Sequence, residues 1–172
     1  MIFTENTQFK YGEVGLYVLD KEEALSMPSD SIVTAHCFPV FQDHVLFTIN
    51  HRGIDIIGGH IEKDETPDQA LIREAQEEAS IIVGAYEVIG GILVDNSNAP
   101  KAMEKGYPVK GIELFYKITE FEMLPFNHSH ESTDRIMVHK DDAHQKHHKW
   151  RQAYQLVLDA CFDPQLKKRY RP

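Results

Sequence analysis

Residues 66–79 constrain the fold more than any other stretch of this chain. Thr66 can cap a helix with its side-chain oxygen, Pro67 suits the first helical position, and Asp68 favours the positive end of the helix dipole. Asp68 to Ala79 contains no Gly or Pro, and Leu71, Ala75 and Ala79 recur every four residues as an apolar stripe. A helix is expected over 68–79, with that stripe against a core. Glu74, Glu77 and Glu78 stand at i, i+3 and i+4, so their three carboxylates share one face. Like charges this close destabilise a helix unless something compensates them. Hard oxygen donors of this kind suit Mg²⁺ or Mn²⁺, which retain waters and bind substrate phosphates. Taken alone, an E-x-x-E-E run reads more simply as a solvated acidic face.

The flanking residues change that balance. Arg73 is four residues before Glu77 and can reach back to Glu65 in the preceding loop, where a guanidinium fork would fix the carboxylate. Gly58-Gly59 lets the backbone approach a ligand closely, and its carbonyls can join a metal. The pair is expected to open a loop running to Thr66.

Around this segment the elements alternate. Strands are expected at 14–19, 31–41, 45–49, 81–83, 86–94, 109–119 and 135–139, with a hairpin turn at Gln42-Asp43-His44. Residues 21–30 read as a short helix or loop, and 95–106 as a loop. A closing helix near 150–162 is stopped by Pro164 and carries the stripe Trp150, Tyr154 and Leu158, a core face rather than a stacking platform. This order indicates a mixed α/β or α+β sandwich formed by one domain over 1–172.

Composition excludes several classes. The 172 residues include 27 acidic and 18 basic ones, a net charge of −9, so a nucleic-acid polymer is not the expected partner. Residues 62–78 hold seven acidic and two basic residues, 2 − 7 = −5, more than half of that excess. Cys37 and Cys161 lie far apart, so neither a thiol zinc site nor a disulfide framework is implied. No apolar run reaches 18 residues and no leader pattern opens the chain, so no membrane association and a cytoplasmic location are expected. Six of the ten histidines fall between His128 and His148, without the Cys or H-E-x-x-H spacing of a zinc site.

Gly59, Glu65, Arg73, Glu74, Glu77, Glu78 and Ile81 stand at the positions of G-x5-E-x7-R-E-U-x-E-E-x-G-U, where U is a bulky apolar residue. Over 59–81 the chain thus resembles the Nudix box. Six fixed residue types at this spacing arise by chance on the order of once in 10⁷ start positions. Ser80 replaces the final glycine, at a cost of about 1 kcal/mol if the helix exit is left-handed. Ala75 is small for its position, and Ile57 stands where many members carry Pro.

The resemblance implies an α/β/α sandwich with a mixed sheet. It also implies hydrolysis of a nucleoside diphosphate linked to another moiety, a small-molecule substrate, with Mg²⁺ or Mn²⁺ as cofactor. Glu74, Glu77, Glu78 and the Gly58 carbonyl would hold metal, while Glu65 and Arg73 would orient loop and helix. The general base stays open between a box glutamate (Glu77 or Glu78) and Glu131 on the loop before the late strand, with Glu120 and Glu122 as weaker alternatives. Arg52, six residues before Gly58, is a candidate phosphate ligand. By analogy a homodimer is also implied. The segment is most similar to the MutT group of nucleoside triphosphate pyrophosphatases; a nucleotide-sensing module without catalysis remains the alternative.

Overall fold

A computed structural model describes residues 1–128 and 130–163; the helix stop assigned to Pro164 lies outside them. The elements in order are β1 (Ile2–Phe9), β2 (Gly12–Asp20), α1 (Lys21–Ser26), β3 (Ile32–Phe41), β4 (His44–Asn50), β5 (Gly53–Asp55), β6 (Ile57–His60), α2 (Pro67–Ala79), β7 (Ile81–Val83), β8 (Tyr86–Asp95), α3 (Pro100–Glu104), β9 (Lys110–Ile118), β10 (Phe121–Met123), β11 (Asp134–His139), α4 (Ala143–Lys146) and α5 (Gln152–Phe162). The main sheet runs β1-β2-β8-β9-β3-β4-β11, with β5 on β4 and β6 on β3. Its β3–β9 pair is parallel and the others are antiparallel, so the sheet is mixed.

Two apolar clusters cover its two faces. Leu71, Ala75 and Ala79 of α2 pack with Ala35, Cys37, Ile57, Ile112 and Leu114 on one side. Ala153, Val157 and Leu158 of α5 pack with Phe38, Phe47, Ile92 and Phe115 on the other. Alternation along β3 and β9 produces this division, because successive strand residues point to opposite faces. The result is the expected α/β/α sandwich. Leu158 of the late stripe is buried, and Trp150 and Tyr154 pack against that same core.

Two expectations change, and one element joins them that was not expected. Gly58 and Gly59 belong to strand β6, paired to His36 and Ala35 of β3, rather than to a loop. The span 95–106 contains α3, with Pro100 in its first turn and Ala102 buried. Residues 2–9, too polar to announce a strand, form β1 by pairing along β2. For β6 and β1 a neighbouring strand supplies hydrogen bonds that local composition does not reveal.

Candidate active site

Helix α2 is held at both ends. At the front, Thr66 and Gln69 form a reciprocal capping box, and Asp68 accepts hydrogen bonds from Tyr116 (2.7 Å) and Tyr86 (3.2 Å). At the back, Thr48 Oγ1 donates to the Glu78 carbonyl at 3.0 Å. Arg135, reaching from β11, donates to the carbonyls of Ala79, Ser80 and Leu124, a cation placed where a helix C-terminus is negative. Ser80 takes the left-handed exit at φ 50°, ψ 48°, and its Oγ accepts the Asn127 N–H at 2.9 Å.

The fixed helix gathers its carboxylates around one guanidinium. Arg73 grips both Glu65 oxygens at 2.9 Å and donates to the His60 carbonyl at 3.0 Å, Glu74 at 2.8 Å and Glu77 at 3.3 Å. All five of its N–H donors are engaged. Glu78 turns the other way and accepts the Gly58 N–H at 2.9 Å. Gly59 lies so close to Glu74 that an added Cβ would sit 2.3 Å from Oε1. Gly59 is therefore dictated by the Glu74 carboxylate, whereas Gly58, at φ 143°, is dictated by β3, where an added Cβ would sit 2.6 Å from His36 Nδ1.

Three carboxylates on one guanidinium, with Glu78 turned to Gly58 beside them, leave an uncompensated negative charge. Burial, followed by Glu74 and Asp55, pushes Glu78 up to about 7 against the Gly58 hydrogen bond. Glu74 is also raised, mainly by burial. An oxygen-only donor set under this strain fits Mg²⁺ or Mn²⁺, whose charge would favour the ionised forms.

On the sheet face away from α2 lies a cleft of about 480 Å³. The β1–β2 hairpin and the residues around α3 wall it, and Gly58, Gly59 and Arg52 line the end beside the carboxylates. Its floor is partly polar: Thr34 and His36 on β3 and Glu113 on β9. Among the described residues, Thr34 Oγ1 and His36 Nδ1 are buried without a hydrogen-bond partner. Burial, with His60 and against Asp55, lowers His36 to about 4, so its ring is neutral near pH 7. Burial raises Glu113 to about 7 despite the attraction of Arg151.

Arg52 lines this cleft and is steered by Asp55, 3.0 Å from its Nη2. Asp55 also accepts from Asn50, the Ile56 N–H and His147 Nε2. With His147 and His148 it offers three potential metal-ligand atoms within 4.8 Å of one another. The hydrogen bonds argue against an ion there. His147 Nδ1 accepts the Lys149 N–H at 3.0 Å, so the neutral ring carries its proton on Nε2, aimed at Asp55. A metal on Nε2 would move that proton to Nδ1, where it would face the Lys149 N–H that Nδ1 now accepts. These histidines instead anchor Asp55, and through it Arg52.

Glu131 is exposed on the loop before β11; its neighbour His130 lines a shallow hollow with Arg73 and Glu77. Glu122 pairs with Ile82 on the small β7–β10 sheet, and Glu120 is exposed beside it. Thr34, His36, Glu113, Asp55 and Arg135 escaped sequence reading, because only the sheet brings these distant positions together.

A NUDIX domain model matches residues 30–159. The chain belongs to the Nudix family. Its fold is similar to a Bacillus subtilis pyrophosphohydrolase, BsRppH, with TM-score 0.67, 17% identity, and coverage of 96% of this chain and 98% of that one. It is also similar to a MutT NUDIX hydrolase from Burkholderia pseudomallei (0.57, 17%, 75% and 96%) and to an ADP compounds hydrolase (0.55, 14%, 100% and 98%). No curated protein matches the sequence. Among the described residues no helix is long and apolar enough to cross a membrane.

Proposed function

We propose that this Nudix protein is a Mg²⁺- or Mn²⁺-dependent hydrolase of a phosphoanhydride bond in a nucleoside diphosphate linked to another moiety, in the manner of a nucleoside triphosphate pyrophosphatase. The observation that carries the reading is the placement of Glu74 and Glu78 against a side-chain-free glycine strand at one end of the cleft. A ligand in that cleft can bring its phosphates to the carboxylates across Gly58-Gly59, with no side chain in the way.

Glu74, Glu77, Glu78 and the Gly58 carbonyl would hold the cation. When bound, it neutralises diphosphate charge and acidifies water for attack at phosphorus. Arg73 and Glu65 are positioning residues: the guanidinium fixes Glu74 and Glu77 relative to the 60–65 loop. Arg52, oriented by Asp55, can bind a phosphate oxygen with its remaining donors. The proton acceptor is a box glutamate, Glu77 or Glu78, or Glu131 on its exposed loop.

The test is a hydrolysis screen across triphosphates, nucleotide sugars, ADP-ribose and dinucleoside polyphosphates, with Mg²⁺, Mn²⁺ or excess chelator. Turnover should require the cation, and Glu78→Gln should lower it by on the order of 10² or more while the thermal midpoint is kept. Tight nucleotide binding with no product in either cation would refute hydrolysis, as would full activity in Glu78→Gln.

A further inference from the structure

The floor of the cleft carries polar groups that the hydrolytic reading leaves unused. Thr34 and Glu113 are direct neighbours across the parallel β3–β9 pair, and His36 follows two residues along β3 on the same face. Adjacent strands lie about 4.8 Å apart and alternate residues of one strand about 6.6 Å, so the three side chains gather over an area about that of one purine. Thr34 Oγ1 and His36 Nδ1 are buried and unpartnered, which is costly unless a ligand completes them.

Glu113 is stranger still. Among the described residues no hydrogen bond or ion pair reaches its carboxyl. The cation that acts on it, Arg151, donates to Thr7 Oγ1 and lies over the Phe9 ring, 4.2 Å from the centroid, and its buried Nε makes no hydrogen bond to the carboxyl. A half-buried carboxyl in the middle of a sheet is expensive to keep without a partner. The His36 ring, stacked on Phe115 at 5.2 Å, gives the same floor a flat aromatic surface.

We propose that Glu113, with Thr34 and His36, selects the base of the substrate by accepting two neighbouring N–H donors, the edge that guanine presents and adenine lacks. The proposal rests on the hydrolase reading only for where the phosphates lie. In this arrangement the two Glu113 oxygens take the ring N–H and the exocyclic amine, as a carboxylate takes any paired donors. The Thr34 hydroxyl or the His36 Nδ1–H donates to the carbonyl oxygen beside them. Adenine would place its ring-nitrogen acceptor against a carboxylate and leave one oxygen unpaired. Cytosine pairs its exocyclic amine with a ring-nitrogen acceptor and uracil flanks its ring N–H with carbonyls, so neither offers two neighbouring N–H donors.

Two measurements test this. The first is kcat/KM for guanosine, inosine and adenosine 5′-triphosphates, in the wild type, Glu113→Gln and Thr34→Val. The second is calorimetric binding of the corresponding 5′-monophosphates without metal, where no turnover is possible. Inosine differs from guanosine only in lacking the exocyclic amine. The wild type should favour guanosine over both others by at least about tenfold in either assay. In Glu113→Gln that preference should collapse to within about threefold; Thr34→Val should weaken guanosine and inosine alike by about three- to tenfold. Equal affinity of the wild type for the three bases overturns the proposal, as does a preference that survives in a folded Glu113→Gln. If Glu113→Gln does not fold, the wild-type ratios and Thr34→Val decide. Discriminating monophosphate binding without triphosphate hydrolysis would sink the hydrolase reading and leave base selection standing.

Discussion

Ser80 allows a measurement of what its departure from the family pattern costs. It sits in the left-handed region at the exit of α2, is buried, and uses its hydroxyl to hold Asn127. Ser80→Gly and Ser80→Ala both delete that hydroxyl, so its hydrogen bond cancels when the two variants are compared. They differ in one Cβ at φ 50°. A Cβ there costs about 1–2 kcal/mol of steric energy, of which the greater chain entropy of glycine returns about 0.5–1. Glycine should therefore be the more stable variant by about 1 kcal/mol. The lost hydrogen bond costs about 1 kcal/mol in both. The expected order is wild type roughly equal to Ser80→Gly, with Ser80→Ala below both. Urea unfolding with an unchanged slope reads this directly, and 1 kcal/mol corresponds to about 2–4 °C in Tm for a domain of this size. The bonds from the Arg135 guanidinium and the Leu124 N–H to the Ser80 carbonyl persist in both variants. Equal stability of the glycine and alanine variants would refute a strained left-handed exit.

Further outcomes follow from the surrounding contacts. Arg73→Lys keeps the charge but offers three donors where five are used, so it should lower stability by about 1–3 kcal/mol and turnover at least tenfold; wild-type values for both would show the fork to be dispensable. Arg135→Met leaves the carbonyls of Ala79, Ser80 and Leu124 without their cation and should cost about 2–3 kcal/mol in denaturant unfolding. Asp55 carries the acid limb of the pH dependence, below the range in which Glu78, Glu113 and His36 titrate. Burial pushes its carboxyl up, but His147, His148 and Asn50 outweigh burial and hold it well below the ordinary 3.8. A carboxyl depressed in the folded state contributes stability above its unfolded value and loses it as pH falls through the folded one. Wild-type stability should therefore decline from about pH 4 downwards, and Asp55→Asn should flatten that decline while losing about 1–3 kcal/mol at pH 7. An identical acid limb in both proteins would remove Asp55 from the account.

The parts legible in the sequence are those whose determinants are local. Helix α2 carries its cap, its first-turn proline and its apolar stripe within 14 residues, and each does in the structure what its chemistry suggests. The reach of Arg73 to Glu65 is equally readable, because eight residues, about two turns of helix, separate them. Gly58-Gly59 misled, since glycine is a poor strand former and only β3, more than 20 residues earlier, makes it a strand. The floor of the cleft was illegible for the same reason. Thr34 and Glu113 are ordinary residues 79 positions apart until sheet pairing sets them side by side with nothing to bind. The clustered histidines looked like metal chemistry in one dimension. In three, His147 and His148 face a single aspartate from the early part of the chain.

The two walls of the cleft differ in provenance. The carboxylate side is pinned at both helix ends and lies within the stretch, 30–159, that the family shares. The opposite wall is a two-stranded ribbon, residues 2–20, that precedes this stretch and rests its Gly12 turn on Ala99. Thr34, His36 and Glu113 lie inside that shared stretch too, on β3 and β9, and β3 also carries the Gly58-Gly59 strand. The β1 strand and the Gly12 turn can therefore change length without moving a carboxylate, whereas a change at Thr34 or His36 falls on the strand that supports Gly58 and Gly59.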